Sequence, residues 1–214
     1  MDKKIQKGAN KMQEQEIKFN SNEKELAGTL TFPSTSGTFP AVLLIPGSGK
    51  VDRDENHKKM KLNAFFEISH YLAENGIASL RYDKSGVGQS GGNYYTTGFY
   101  DGVQDALAAI EYLKHQENIQ LKNTFILGHS EGSIIASRLA GIGTEVAGII
   151  LLSGTAQSGE AVLKWQATQI VKGLKGFNAW LIKILHIDVL KSQQKRIDKI
   201  KRSKKDYFRQ QLIV

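Results

Sequence analysis

Along residues 15–20 and 25–32, hydrophobic and polar positions alternate with a period of two. The polar turn Ser21-Asn22-Glu23-Lys24 lies between these runs, which predicts two paired strands. Residues 1–15 are polar, lack the apolar run of a secretory signal, and read as a flexible leader. After a loop over 33–40, Ala41-Val42-Leu43-Leu44-Ile45 is apolar throughout and stops at Pro46-Gly47. A continuous run of this kind suits a central parallel strand, buried on both faces.

The period then lengthens. Leu62, Phe65, Phe66, Ile68, Tyr71 and Leu72 recur at near-helical spacing and predict a helix over 60–74, stopped by Asn75-Gly76. A strand over 77–82, a glycine-rich loop over 84–98 and a helix over 102–115 follow. Next come a strand over 124–127, a helix over 133–140 and a last apolar strand over 146–152. Strands alternating with helices argue for a parallel sheet covered on both faces. From residue 160 only helical spacing remains, over 160–173, 176–190 and 193–211. The expected fold is therefore a three-layer α/β/α sandwich with a mostly parallel sheet, followed by a helical segment. Its divisions fall at 1–15, 16–159 and 160–214.

Charge and composition narrow the picture. The net charge of +8 invites a nucleic-acid reading. Much of that excess lies late, in Lys191, Lys195, Arg196, Lys199, Lys201, Arg202, Lys204, Lys205 and Arg209. A run of this kind reads as a solvated helix face, with a membrane-surface or acidic-partner role as the alternative. No nucleic-acid or membrane partner is expected. The 214 residues contain no cysteine, which excludes disulfides, thiolate nucleophiles and cysteine-ligated metals. No apolar stretch approaches the roughly 20 residues that span a bilayer. A cytoplasmic protein of one domain is the expectation.

The candidate chemistry rests on serine. Gly-x-Ser-x-Gly occurs twice, at Gly128-His129-Ser130-Glu131-Gly132 and at Gly88-Gln89-Ser90-Gly91-Gly92. A nucleophile elbow needs a strand, a sharp turn that strains the serine backbone, and then a helix. Ser130 has the strand over 124–127 before it and the helix over 133–140 after it. Ser90 is surrounded by polar and glycine-rich sequence, so Ser130 is the candidate nucleophile. Gly86-Val87-Gly88-Gln89-Ser90-Gly91 matches a dinucleotide fingerprint on paper, but no helix begins directly after it. Gly47-Ser48-Gly49-Lys50 looks like the end of a P-loop, yet Leu44 replaces its leading glycine and Val51 its final Ser/Thr. Acyl transfer builds an oxyanion that needs two preorganised N–H donors. The expected donors are the backbone N–H groups of Glu131 and Ser48. The plainer reading of residues 46–49 is a strand-ending turn.

Together these residues resemble a known family. Three motifs carry the likeness: Ile45-Pro46-Gly47-Ser48-Gly49 with Asp52-Arg53-Asp54; Arg81-Tyr82-Asp83-Lys84-Ser85-Gly86-Val87-Gly88-Gln89-Ser90; and the Ser130 motif. They are similar to bacterial α/β-hydrolases, in particular the dienelactone-hydrolase-like and serine-aminopeptidase-like esterases. The resemblance covers residues 16–159. It implies a nucleophile at Ser130, an oxyanion hole at Ser48 and Glu131, and a structural turn over 83–90. It also implies cleavage of a small carboxylic ester, thioester or amide through an acyl-enzyme, with no cofactor and no metal.

That fold orders its triad as serine, acid, histidine, and here the chain departs from it. His57, His70, His115 and His129 precede Ser130, and His186 lies in an apolar helical run. Asp188 cannot orient His186 from two positions along one helix. Glu160 is a possible acid without further support. The expectation is a chain that lacks the last two strands with their acid and histidine, and is impaired accordingly. Residues 160–214 would form a helical cap, with Trp165, Phe177 and Trp180 lining an acyl pocket or simply packing. The alternative from another class is a non-catalytic module that binds partners through its basic helical tail.

Overall fold

The computed structural model describes residues 11–58, 60–175 and 188–203. The chain opens with the hairpin β1 (Gln13–Ser21) and β2 (Lys24–Phe32), turned at Asn22, whose φ is 51°. There follow β3 (Phe39–Ile45), α1 (Ala64–Glu74) and β4 (Ala78–Tyr82). A 3-10 turn (Tyr94–Thr96) leads into α2 (Phe99–Lys114), β5 (Ile119–His129), α3 (Glu131–Gly141) and β6 (Gly148–Leu152). Two helices complete the described chain, α4 (Gly159–Gly173) and α5 (Val189–Arg202).

The six strands form one sheet in the order β1-β2-β4-β3-β5-β6. β1 and β2 pair antiparallel, as do β2 and β4, whereas β3 is parallel to both β4 and β5, and β5 to β6. Side chains of β3 alternate between the two faces, as the pleat requires. Ala41, Leu43 and Ile45 pack with Leu80 and Ile126 against Val103 and Ile110 of α2 and Ile135 and Leu139 of α3. Val42 and Leu44 pack with Leu127 against Phe65 of α1. The result is a three-layer α/β/α sandwich, as the alternation of strand and helix signals requires.

That layering fixes where a site can form. The chain leaves β3 toward the α1 face and leaves β5 toward the α3 face. Adjacent parallel strands whose helices depart to opposite faces open a crevice at their carboxyl ends. The loops after Ile45 and His129 straddle this crevice.

Several boundaries differ from the sequence reading. The first strand starts at Gln13. α1 starts at Ala64 rather than residue 60, because Met60 and Leu62, periodic on paper, are 55% and 54% exposed and serve no core face. α2 begins three residues early, where the Gly98 N–H donates to the Asp101 carboxylate at 2.7 Å. β5 extends back to Ile119 through a polar stretch. Its register against β3 jumps between Phe39 and Ala41, so the extra residues bulge out without an apolar signature. The helix expected over 176–190 lies almost wholly outside the described residues, with Phe177, Trp180 and His186. α5 starts at Val189, capped by the Asp188 side chain on the Lys191 N–H at 2.8 Å.

Candidate active site

Ser130 stands alone between the end of β5 and the start of α3, with φ 51° and ψ −111°. L-residues avoid this region, and only a tightly held turn keeps a serine there. The Ser130 N–H donates to the Leu152 carbonyl at 2.9 Å, and the Ser130 carbonyl accepts from the Ser133 N–H at 3.1 Å and the Ser133 hydroxyl at 2.5 Å. Both flanking glycines are compulsory. A β-carbon on Gly128 would sit 2.6 Å from the Ser133 nitrogen, and one on Gly132 would sit 2.8 Å from the Pro46 carbonyl oxygen. Glu131 is the first residue of α3, so its N–H has no acceptor within the helix.

The loop after β3 lies directly against this turn. A β-carbon on Gly47 would be 3.4 Å from Ser130 Cβ and 3.0 Å from His129 Nδ1. Both polar groups of Gly47 are already committed. Its N–H donates to Glu55 Oε1 at 2.7 Å, and its carbonyl accepts from Lys84 Nζ at 2.9 Å. Each of those charged residues also reaches a neighbour of Ser130. Glu55 Oε1 lies 2.9 Å from His129 Nδ1, and Lys84 Nζ donates to Glu131 Oε2 at 2.9 Å. Glu55 is buried and holds φ at 62°, while the ring of Phe65 stands edge-on to His129. The Ser48 N–H makes no hydrogen bond among the described residues. The Ser48 N–H on one loop and the Glu131 N–H on the other are therefore unused backbone donors flanking the Ser130 turn.

A network of charges centred on the buried Arg53, Arg81 and Asp83 supports the loops from behind. Asp83 accepts from the Arg53 N–H and guanidinium at 2.9 and 2.8 Å and from the Gln89 N–H at 3.0 Å. Arg53 also bonds Glu16 at 2.6 Å. Burial alone would raise the Glu16 carboxyl, but hydrogen bonds from Thr29 and Arg53 and the Arg53 and Arg81 charges hold it below its usual value. Arg81 pairs with Asp54 at 2.7 Å and with Glu14. Burial outweighs these charges at Asp54, whose carboxyl is raised. On the site side, the Tyr94 hydroxyl is buried with no hydrogen-bond partner among the described residues. Burial, then the Glu131 and Tyr95 groups, push it up to about 12. Lys50 lies over the rings of Tyr95 and Tyr94, 4.1 and 5.3 Å from their centroids.

The other serine motif is structural. The Ser90 hydroxyl donates to the Asp83 carbonyl at 2.7 Å and accepts from the Ala27 N–H at 2.9 Å. Gly88, at φ 54°, has no room for a β-carbon beside the Asp83 carboxylate. Among the described residues no histidine nitrogen bonds the Ser130 hydroxyl. His57 lies in a short bridge with Met60, His70 meets Glu14, and His115 meets the Glu111 carbonyl. Glu160 is held by Lys164 and Lys201, at 2.7 and 2.5 Å. Trp165 is 62% exposed. Glu55 and Lys84 escaped the sequence reading as site residues, because they lie 74 and 47 positions from the groups they hold.

Comparison with known proteins identifies the scaffold. The family model for serine aminopeptidase, S33, matches residues 59–212, well over half of the chain. This chain belongs to the serine aminopeptidase S33 family. It is also 32% identical over 141 residues to esterase EstD of Thermotoga maritima, a match covering 66% of this chain and 33% of that protein. The chain thus spans one third of the length of that curated relative. Among solved structures, an esterase of Pyrococcus furiosus superposes with a TM-score of 0.61 at 18% identity, over 86% of this chain and 66% of that one. Est1E of Butyrivibrio proteoclasticus, solved with ferulic acid, gives 0.55 at 21% identity, over 76% and 61%. At such identities the likeness concerns the fold, which is that of the α/β-hydrolases. The S33 match opens after Gly47, Ser48 and Glu55, so the first half of the site stands on geometry.

Proposed function

We propose that this chain carries the nucleophile and oxyanion hole of a carboxylic-ester hydrolase working through an acyl-enzyme. The observation that carries the reading is the strained Ser130 turn at the N-terminus of α3, set against the 46–49 loop with the unused N–H groups of Ser48 and Glu131 on its two sides. The kinship with an esterase of Thermotoga maritima supports an ester as substrate.

The Ser130 hydroxyl adds to the ester carbonyl carbon and gives up its proton to a general base. The carbonyl electron pair moves onto oxygen, and the N–H groups of Ser48 and Glu131 hold the resulting anion. Collapse expels the alcohol, which takes the proton back, and leaves an acyl ester on Ser130. Water then repeats the sequence and releases the acid. The positive end of α3 favours the anion at both stages. Among the described residues no histidine nitrogen bonds the Ser130 hydroxyl, so the described histidines do not supply the base. The described site alone leaves Ser130 an ordinary hydroxyl. Oxyanion and binding terms then account for about 10³-fold over water, the residue left when a triad member is missing. The helices from residue 160 onward act as a cap over the crevice.

A fluorophosphonate probe tests this directly. Labelling at Ser130, abolished in Ser130→Ala, is the expected result. A folded sample that takes up probe no faster than Ser130→Ala on prolonged exposure, lacking even the residual rate that an oxyanion hole confers, overturns the reading and favours a binding role for the scaffold.

A further inference from the structure

We infer that Lys84 is a positioning residue for the oxyanion hole, acting on both donors at once; the inference rests on the reading of Ser130 as nucleophile. The chain has no cis peptide among the described residues, so the Gly47 C=O and the Ser48 N–H belong to one planar trans unit and point in opposite directions. Whatever fixes that carbonyl fixes the N–H. Lys84 Nζ grips the carbonyl at 2.9 Å with a charge-assisted bond. The grip aims the Ser48 N–H away from Lys84, and it polarises the peptide so that the N–H becomes a stronger donor.

The same ammonium donates to Glu131 Oε2 at 2.9 Å, and the backbone N–H of Glu131 is the second donor. One side chain therefore ties together the two loops whose spacing sets the hole. Burial strengthens the tie, since the Lys84 and Glu131 side chains are only 12% and 11% exposed. Electrostatics point the same way. A carboxylate at the first position of α3 helps the helix dipole, but it repels an anion forming beside it. Pairing with Lys84 neutralises that carboxylate where the oxyanion develops. Glu55 completes the clamp from the other side. It consumes the Gly47 N–H at 2.7 Å, so the first uncommitted donor along this loop is the Ser48 N–H.

The test uses the full chain and fluorophosphonate labelling of Ser130, with the inactivation rate and the probe affinity measured separately. Lys84→Met keeps the length and loses the charge. It is expected to slow the inactivation step by about tenfold to a hundredfold, in the range of a weakened oxyanion donor, while probe affinity holds within about threefold. Lys84→Arg, which keeps the charge, is expected to recover most of the loss. If Lys84→Met loses its cooperative melt, Lys84→Gln takes its place in the same comparison. A Lys84 variant that melts like wild type and labels at the wild-type rate overturns this inference alone. Failure of the wild-type chain to label overturns it together with the assignment of Ser130.

Discussion

The candidate site is built around one strained backbone position, which a glycine would occupy without cost. Ser130 occupies φ 51°, ψ −111°, a combination that glycine enters freely and other residues enter only at a cost. Replacement by glycine should relieve that strain, whereas alanine retains it. Ser130→Gly is therefore expected to exceed Ser130→Ala in stability by about 1 kcal/mol, read from urea midpoints. Equal midpoints would show that the turn is relaxed. The neighbouring Gly132 tests the close approach of the two loops, because its missing β-carbon leaves room for the Pro46 carbonyl. Gly132→Ala should cost about 1–3 kcal/mol by overpacking and push the 46–49 loop off the elbow, so phosphonate labelling falls with stability. Labelling that survives at full rate would separate the loop from the chemistry.

Between elements, buried polar ties do what apolar packing cannot: they lock particular loops together. Asp105 of α2 accepts the hydroxyls of Ser21 and Ser85, each at 2.5 Å, and pairs with Lys24 at 3.2 Å. It thus joins the β1–β2 hairpin, the loop after β4 and α2. Asp105→Ala strands an ammonium and two hydroxyls, and is expected to cost about 3–5 kcal/mol in chemical denaturation. A cost below 1 kcal/mol would mean that water replaces the carboxylate. Tyr94, beside the site, titrates late because burial raises it to about 12. The sign follows from linkage: the folded chain keeps the phenolic proton that the unfolded chain loses near 10. That contribution to stability is complete below pH 10 and is lost as pH rises through about 12. Ultraviolet titration of the wild type against Tyr94→Phe checks it. These ties also mark the limit of what the sequence discloses. The β3 run, the helical periods and the glycine pair around Ser130 each follow from local chemistry, and the fold was legible from them. Lys84, Glu55 and Asp105 gain their meaning only when segments dozens of residues apart meet, and no periodicity announces that. The polar first half of β5 is not legible for a related reason: residues 120–123 bulge out of the β3 register and lie half-exposed or exposed, so no alternation marks them.

Over the whole molecule, two kinds of association coexist. The sheet and α1–α3 share continuous apolar cores, whereas α4 and α5 chiefly face each other. Among the described residues, burial and charge both contribute to that helix pair: Ala167 of α4 and Ile197 of α5 are buried, and Glu160 of α4 reaches Lys201 of α5 at 2.5 Å. Hydrogen bonds from Lys164, then Lys201, hold the Glu160 carboxyl down at about 2. Its contribution is therefore complete above the usual 4.5 and vanishes as pH falls through about 2. Lowered or not, this carboxylate faces solvent, where ion pairs contribute little to stability and are screened by salt. Burying an isoleucine is worth about 1.5–3 kcal/mol. Packing should therefore dominate. The basic side chains exposed along α5 make it a trypsin substrate whenever it opens, so cleavage there reports the opening. Ile197→Ala is expected to accelerate cleavage within 191–202 more than Glu160→Gln does. High salt should speed the wild type to the Glu160→Gln rate and leave that variant almost unchanged, while the β1–β6 core persists as a resistant fragment. If Glu160→Gln proves the more damaging substitution, the helix pair is held by charge, and its docking should loosen on acidification toward pH 2.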